Sequence, residues 1–424
     1  MGAAWVEAVR TVYRGRRRAG LLTLVVILAA GACGQGAAAR TQSAGDDILV
    51  GASISLSGSL GAEGQRTKQG YLMWLEWVNG QGGIVVAGVR HKVRLLLEDD
   101  QSRPDLAEGL ARKLITQDTV HFLLGPYGST TTAAVAAVAD RAAIPLVEAM
   151  GAAMSIFSQG YRYVFAVLSP SDQYMAGVID MAANLVPRPR TIALLAADDS
   201  FSLEVAQSVR AYAPRRGFEV VFSQQYPAGS TELRSLVTQA RSQQPDILMN
   251  SGHLAEAVAI HRAAKELQLN AKLFAYSVGP STLDYVPTLG PDADYVFSGS
   301  QWTPQVRYRP QMYLTVRDFR AAYKRMFRTL DEPSYHVAGG TAAGLALERA
   351  IENAGSLRPD RVRDALAGLD VTTFYGRIRF DPRGVNVYKP MLVEQIQRGR
   401  HRTVHPPELA DARPEYPTPP WSER

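Results

Sequence analysis

From residue 48 onward, short apolar, β-branched runs alternate with stretches whose apolar residues fall at helical spacing. Residues 48–55 (I-L-V-G-A-S-I-S) form the first strand-like run. Tyr71, Leu72, Leu75 and Val78 then mark a helix over 64–78, which Asn79-Gly80 ends. The pattern continues with strand 91–98, helix 105–116, strand 120–124, helix 129–142 and strand 143–147. It starts afresh after a break near 160–190, with strands at 191–196, 218–223, 246–250 and 272–276. Between these lie helices at 201–213, 231–241 and 254–266. Such alternation predicts parallel sheets with helices on both faces, and two series predict two doubly wound lobes: an α/β protein. Three helices (313–329, 335–353, 358–367) and a late β region (373–380 and 391–397) return after the second series. They are expected to complete both lobes, so the chain must cross between them more than once. The tail from Pro406 is proline-rich.

The composition is that of a globular chain with a real core, 46% apolar and 20% charged over 424 residues. The first residues differ. Arg10, Arg14, Arg16, Arg17 and Arg18 precede the apolar run 21–30, which is too short to span a bilayer. Basic region, short apolar region and small residues after it predict an export signal over 1–32. Ala30-Gly31-Ala32-Cys33 resembles a bacterial lipobox with Ala where Leu is usual, and Cys33 is the only cysteine in the chain. Cys33 is therefore the expected lipidation site, with 33–46 as a tether to the cell membrane, and no internal disulfide can form. Five arginines against Glu7 make the signal the source of four of the six net positive charges. The remainder is near neutral and has no basic stripe, which argues against a nucleic-acid partner.

Open parallel sheets bind ligands at the carboxyl ends of their strands, where helix N-termini also point. The loop 56–64 (L-S-G-S-L-G-A-E-G) spaces its glycines by three and is a weak dinucleotide fingerprint. The loop 125–132 (G-P-Y-G-S-T-T-T) is more informative. Ser129 occupies an expected N-cap position, and the free N–H groups of Thr130 to Thr132 could receive an anion. A second small-residue loop, E-A-M-G-A-A at 148–153, could help cradle one carboxylate. No G-x-S-x-G, H-E-x-x-H or cysteine pair is present, and His401 and His405 read as coincidental spacing. Neither an enzyme nor a cofactor is expected.

Five stretches in fixed order (S-L-S-G-S-L-G-A-E-G, N-G-Q-G-G-I, L-L-E-D-D-Q-S-R-P, L-L-G-P-Y-G-S-T-T-T and I-P-L-V-E-A) resemble the Leu/Ile/Val-binding group of type I periplasmic binding proteins. The resemblance runs over about 47–400 and implies a receptor that hands solutes to an ABC importer. It implies that Ser129 holds the ligand carboxylate. Met150, Gly151 and Ala152 match the small-residue loop, where the family commonly has Thr at the place of Ala152. Phe201 and His253 match contacts from the other lobe, and Glu63 and Tyr335 match the side-chain pocket. Amino-acid binders of the family place a carboxylate for the ligand ammonium after strand 272–276, where this chain has Val278, beside Tyr276 and Ser277. Either Glu63 or Glu148 then supplies the charge, or the ligand lacks an α-amino group. With Tyr276, Trp302 and Tyr335 at hand, an aromatic carboxylate is a candidate.

These readings imply a lobe of about 47–165 plus 303–388 that holds the carboxylate. A second lobe, 166–302 plus 389–424, closes over it about a hinge. The expected partners are a small carboxylate-bearing solute, an ABC permease and, through the lipid, a membrane facing the periplasm or extracellular space. Two other readings stand beside this one: a ligand-sensing domain for a membrane signalling partner, and an exported hydrolase.

Overall fold

A computed structural model describes residues 46–424. The predicted export signal, Cys33 and most of the expected tether lie outside the described residues.

The first lobe is built from β1 (Ile48–Ile54), α1 (Gly61–Gly80), a small hairpin of β2 (Ile84–Val86) and β3 (Val89–His91), β4 (Val93–Asp99), α2 (Pro104–Thr116), β5 (Phe122–Leu124), α3 (Ser129–Arg141), β6 (Leu146–Glu148), a one-turn α4 (Met154–Phe157) and β7 (Val164–Ala166). Its sheet has the order β4-β1-β5-β6-β7 and is parallel throughout. Ile48, Val50, Ala52 and Ile54 of β1 are fully buried in one core, while Gly51 on the other face sits against Leu114 and Val120. Burial on both faces is why this strand reads as a continuous apolar run.

After α5 (Ala176–Ala182), the second lobe follows: β8 (Thr191–Ala197), α6 (Ser200–Tyr212), β9 (Glu219–Tyr226), α7 (Arg234–Ser242), β10 (Ile247–Ser251), α8 (Leu254–Glu266), β11 (Leu273–Tyr276), α9 (Tyr285–Leu289) and β12 (Phe297–Ser300). The chain then returns through α10 (Val316–Phe327), α11 (Tyr335–Ala354), α12 (Pro359–Ala367) and the hairpin β13 (Asp370–Thr373)–β14 (Gly376–Arg379). It ends with β15 (Leu392–Gln397) and β16 (Arg400–His405). The second sheet runs β16-β15-β12-β11-β10-β8-β9, with β15 and β16 antiparallel at its edge.

Helix α11 packs along α1, and small residues set the distance. A Cβ on Gly344 would lie 2.2 Å from the Trp74 ring. Trp74 in turn donates its indole N–H to Glu348 at 2.9 Å. At 373–380 the late β region forms the β13–β14 hairpin, which joins neither main sheet but packs into the first lobe's core. Its turn buries Phe374 and Tyr375, and Phe374 stacks on Phe319 with ring centroids 4.0 Å apart. The proline-rich tail lies against the second lobe, where the Thr418 N–H bonds Lys272 O and the Trp421 indole bonds Leu269 O.

Three chain crossings join the lobes, and a buried polar cluster ties them together. Gln301 accepts the Ser169 N–H on Oε1 at 2.9 Å and donates Nε2 to Ser169 O at 2.8 Å. Lys389 Nζ donates to Gln301 O and Oε1 at 2.6 and 2.9 Å, and Lys389 O accepts from the Ser169 hydroxyl at 2.8 Å. No carboxylate is among these partners. Burial therefore holds the Lys389 amine down, to about 7.

Candidate functional site

Strand β5 delivers the loop Gly125–Gly128 to the carboxyl end of the first sheet, and α3 begins there. The N-cap is Gly128, not Ser129, in a backbone conformation (φ 88°) that favours glycine. The first intrahelical bond runs from the Thr132 N–H to Gly128 O. The N–H groups of Ser129, Thr130 and Thr131 therefore precede it, one residue earlier than the sequence suggested. Ser129 Oγ accepts the Ala153 N–H at 3.0 Å, which ties the cradle to the loop after β6 and leaves its hydroxyl hydrogen to donate. Neutral donors backed by a helix dipole suit an anion.

Facing this turn is a small cavity lined by Tyr127, Ser129, Met150 and Tyr335 of the first lobe and Phe201, His253 and Val278 of the second, with Tyr174 beside them. The rings pack closely. Tyr174 and Phe201 meet edge to face at 4.8 Å, and Phe201 and His253 lie 5.9 Å apart. Only about 10 Å³ remains free, room for one water at most. The lobes are closed on each other. The Tyr127 hydroxyl lies 3.2 Å from His253 Nδ1, Glu63 Oε1 accepts the Leu254 N–H at 3.1 Å, and Arg66 pairs with Asp284 at 3.0 Å. A larger groove of about 610 Å³ lies behind Tyr335, between Ser281, Gln305 and Arg402. It opens to solvent, and of the residues singled out from sequence only Trp302, Tyr335 and His401 line it, whereas the small cavity gathers six of them at the first turn of α3, so the small cavity is the better candidate despite its size.

The electrostatics are set by burial and by one pair. Burial alone would keep His253 neutral. Asp199 at 3.5 Å, with Glu256 and Glu63 beyond it, outweighs that and raises the imidazole to about 9. Asp199 caps α6 through the Ser202 N–H at 3.0 Å; burial pushes its carboxyl up, but the His253 charge together with hydrogen bonds from His253 and Ser202 outweighs that and holds it low. The His253 charge is thus matched within the second lobe.

Of the residues singled out from sequence, Ser129, Met150, Phe201, His253, Val278 and Tyr335 meet at this cavity. Gly151 and Ala152 lie behind it: a Cβ on Gly151 would strike Thr132, and Ala152 O accepts the Ser171 N–H. Glu63 is buried beside the cavity but spends Oε1 on Leu254, and burial raises its carboxyl. Glu148 faces away, bonded to the Met150 and Gly151 N–H groups. Tyr276 and Trp302 do not reach the cavity. The Tyr276 hydroxyl bonds His261 Nδ1 at 3.0 Å inside the second lobe, and the Trp302 indole bonds Phe374 O at 2.9 Å. Sequence reasoning missed Tyr127 and Tyr174. Tyr127 stood inside a loop already marked for chemistry, whereas Tyr174 lies in the break between the two series, where no pattern pointed to it.

The model of the periplasmic binding protein family matches residues 47–400. A Leu/Ile/Val-binding protein homolog of Brucella abortus is 24% identical over 380 residues, 86% of this chain and 92% of that one. A leucine-binding protein of Thermotoga maritima superposes with a TM-score of 0.75 at 19% identity, covering 84% of this chain and 97% of that chain. A solute-binding protein of an ABC transporter from R. palustris, solved with benzoate, gives 0.73 at 17% identity, covering 84% and 95%. Among the described residues no helix is long and apolar enough to cross a membrane. The chain belongs to the periplasmic binding protein family and is similar to its Leu/Ile/Val-binding members: a two-lobed, extracytoplasmic solute-binding protein of the ABC-transporter kind, not an enzyme.

Proposed function

We propose that the protein captures an aromatic carboxylate between its lobes and presents it to an ABC permease, held at the membrane by a lipid on Cys33. The supporting observation is the pairing of two features in one cavity. The first turn of α3 offers the Ser129 hydroxyl and three N–H groups to an anion. The rest of the lining includes Val278 and the rings of Tyr127, Tyr174, Phe201 and Tyr335. An α-ammonium buried there would need an anionic partner, since an unpaired charge away from water is very unfavourable. Glu63 and Glu148 are engaged elsewhere, and Asp199 is matched by His253. The benzoate complex from R. palustris indicates that a protein of this fold can take such a solute.

Capture would follow lobe opening about the Ser169–Gln301–Lys389 crossings, because the closed cavity is too small for any ring. The carboxylate would dock on the first lobe, about 47–165 with 303–388. The second lobe would then bring Phe201 and His253 over the ring. Thermal-shift measurements with benzoate, 4-hydroxybenzoate, leucine and isoleucine test this. A solute at 100 times its Kd adds about 2.7 kcal/mol of stability. Shifts with the benzoates alone support the reading. Shifts with leucine or isoleucine and none with the benzoates overturn it.

A further inference from the structure

We propose that the groove of about 610 Å³ behind Tyr335 is a second binding site, for an organic ammonium, and that its occupant strengthens solute capture by holding the lobes closed. The ammonium site stands on the groove alone; only its effect on benzoate rests on the aromatic-carboxylate reading.

The groove runs along the seam between the lobes. Arg320, Leu330 and Tyr335 line it from the first lobe, and Leu283, Val286 and Glu394 from the second. Its volume is that of a small-molecule site. Two of its side chains leave acceptor oxygens unused. Gln305 donates Nε2 to His401 O at 3.3 Å, which fixes the orientation of the amide. Among the described residues its Oε1 has no hydrogen-bond partner. Glu394, on β15 and 4% exposed, likewise has no partner for Oε1 among the described residues. Its Oε2 lies 3.5 Å from His401 Nδ1. The two acceptors thus sit on side chains that flank one imidazole. At the Tyr335 end, the buried Ser334 adds a hydroxyl without a partner among the described residues. Buried polar groups are nearly always satisfied, so orphans gathered in the wall of one cavity point to a ligand that donates.

Charge decides which donor. Glu332 pairs with Arg320 and Lys324, and Asp411 pairs with Arg402, so those acids are matched. Glu394 is different: among the described residues no Lys or Arg lies within ion-pair distance of it, and His401 is a cation only when protonated. Arg400 also lines the groove, but it is exposed, where water and salt screen its charge. An ammonium answers the Glu394 carboxylate and has a further hydrogen for Gln305 Oε1. Leu283, Val286 and Leu330 suit an apolar frame behind it, and Leu330, 93% exposed, would gain cover. The two walls belong to different lobes, so opening would pull them apart. The occupant therefore binds the closed form better and shifts the population toward it. By linkage, benzoate and the ammonium raise each other's affinity by the same factor.

The experiment is calorimetric titration at pH 7 with phenethylamine, and with 2-phenylethanol as its uncharged control. Saturable binding of one amine per chain is expected, and none of the alcohol over the same concentrations. Glu394→Gln keeps the shape and removes the charge, and should weaken the amine at least about tenfold. Gln305→Ala removes a neutral acceptor and should weaken it by about threefold to tenfold, which keeps the test open if the first variant does not fold. Benzoate titrated into protein saturated with phenethylamine should bind at least about fivefold more tightly than it does alone. Benzoate by itself should bind Glu394→Gln and the unaltered protein alike. Absence of saturable amine binding, equal binding of the alcohol, or amine binding that both variants leave unchanged overturns the site. Amine binding that the variants weaken, with no gain for benzoate, overturns the coupling. If the amine binds as expected and no aromatic carboxylate binds at all, the ammonium site stands and the aromatic-carboxylate reading falls.

Discussion

Replacing Lys389 by methionine should change how stability depends on pH, and the size of the change can be worked from its burial. Lys389 is 1% exposed, donates two hydrogen bonds to Gln301 and faces the Tyr375 ring at 4.7 Å. Two donated bonds are what a neutral amine can give. Burial lowers the group from 10.5 to about 7. Between those values the unfolded chain holds a proton that the folded chain has released. Stability therefore rises with pH across the window, by up to about 1.4 kcal/mol per unit, and approaches a total of roughly 5 kcal/mol. Below pH 7 the folded state carries the buried charge and the stabilisation is lost. Lys389→Met removes this dependence and leaves Gln301 O short of a donor, a loss of about 1–3 kcal/mol that relief of the buried charge offsets near neutrality. Urea unfolding of both proteins at pH 6, 7, 8 and 9 isolates the effect, because other titrating groups cancel in the difference. The wild type should gain on the variant by about 2 kcal/mol between pH 7 and 9. A difference that stays constant with pH, or moves the other way, would refute the reasoning and mean that the hinge holds a permanently charged lysine.

Two further substitutions separate specificity from stability. Val278→Glu places a carboxylate in the wall of the cavity; benzoate affinity should drop by more than about tenfold through like-charge repulsion, and leucine should begin to shift the melt. Unchanged benzoate binding in calorimetry would show that position 278 does not face the solute. Trp421→Ala removes the indole bond to Leu269 O and the edge contacts with His261 at 5.2 Å and Phe274 at 5.8 Å. A loss of about 3–5 kcal/mol in urea unfolding with little change in benzoate affinity is expected. A loss under about 1 kcal/mol would mean that the tail is dispensable to the second lobe.

Much of this architecture is written locally. Helix 254–266 and strand 48–55 fall within a residue of where the pattern placed them, because each carries its own periodicity and flanking signals. The strands Val164–Ala166 and Phe297–Ser300 went unread for the opposite reason: three or four residues, one run being F-S-G-S, have no period of their own and become strands by pairing. The site divides in the same way. Ser129 and Met150 follow from loop chemistry at strand ends. Tyr276 was misread because it shares the inward face of β11 with Phe274, against His261. Beyond the strand the alternation stops, and Val278, two residues later, turns to the cavity. Charge state lies furthest from sequence, since Glu148, Glu63 and Lys389 are defined by what closes over them. Closure brings two helix N-termini to one cleft, α3 from the first lobe and α8 from the second. Glu63 reaches across and takes the first N–H of α8, at Leu254, so that end is served by a carboxylate of the chain itself. Among the described residues no side-chain carboxylate bonds the first three N–H groups of α3. On the proposed reading the cleft would take a solute with one carboxylate, and a second one on the same solute would have to compete with Glu63 for its donor.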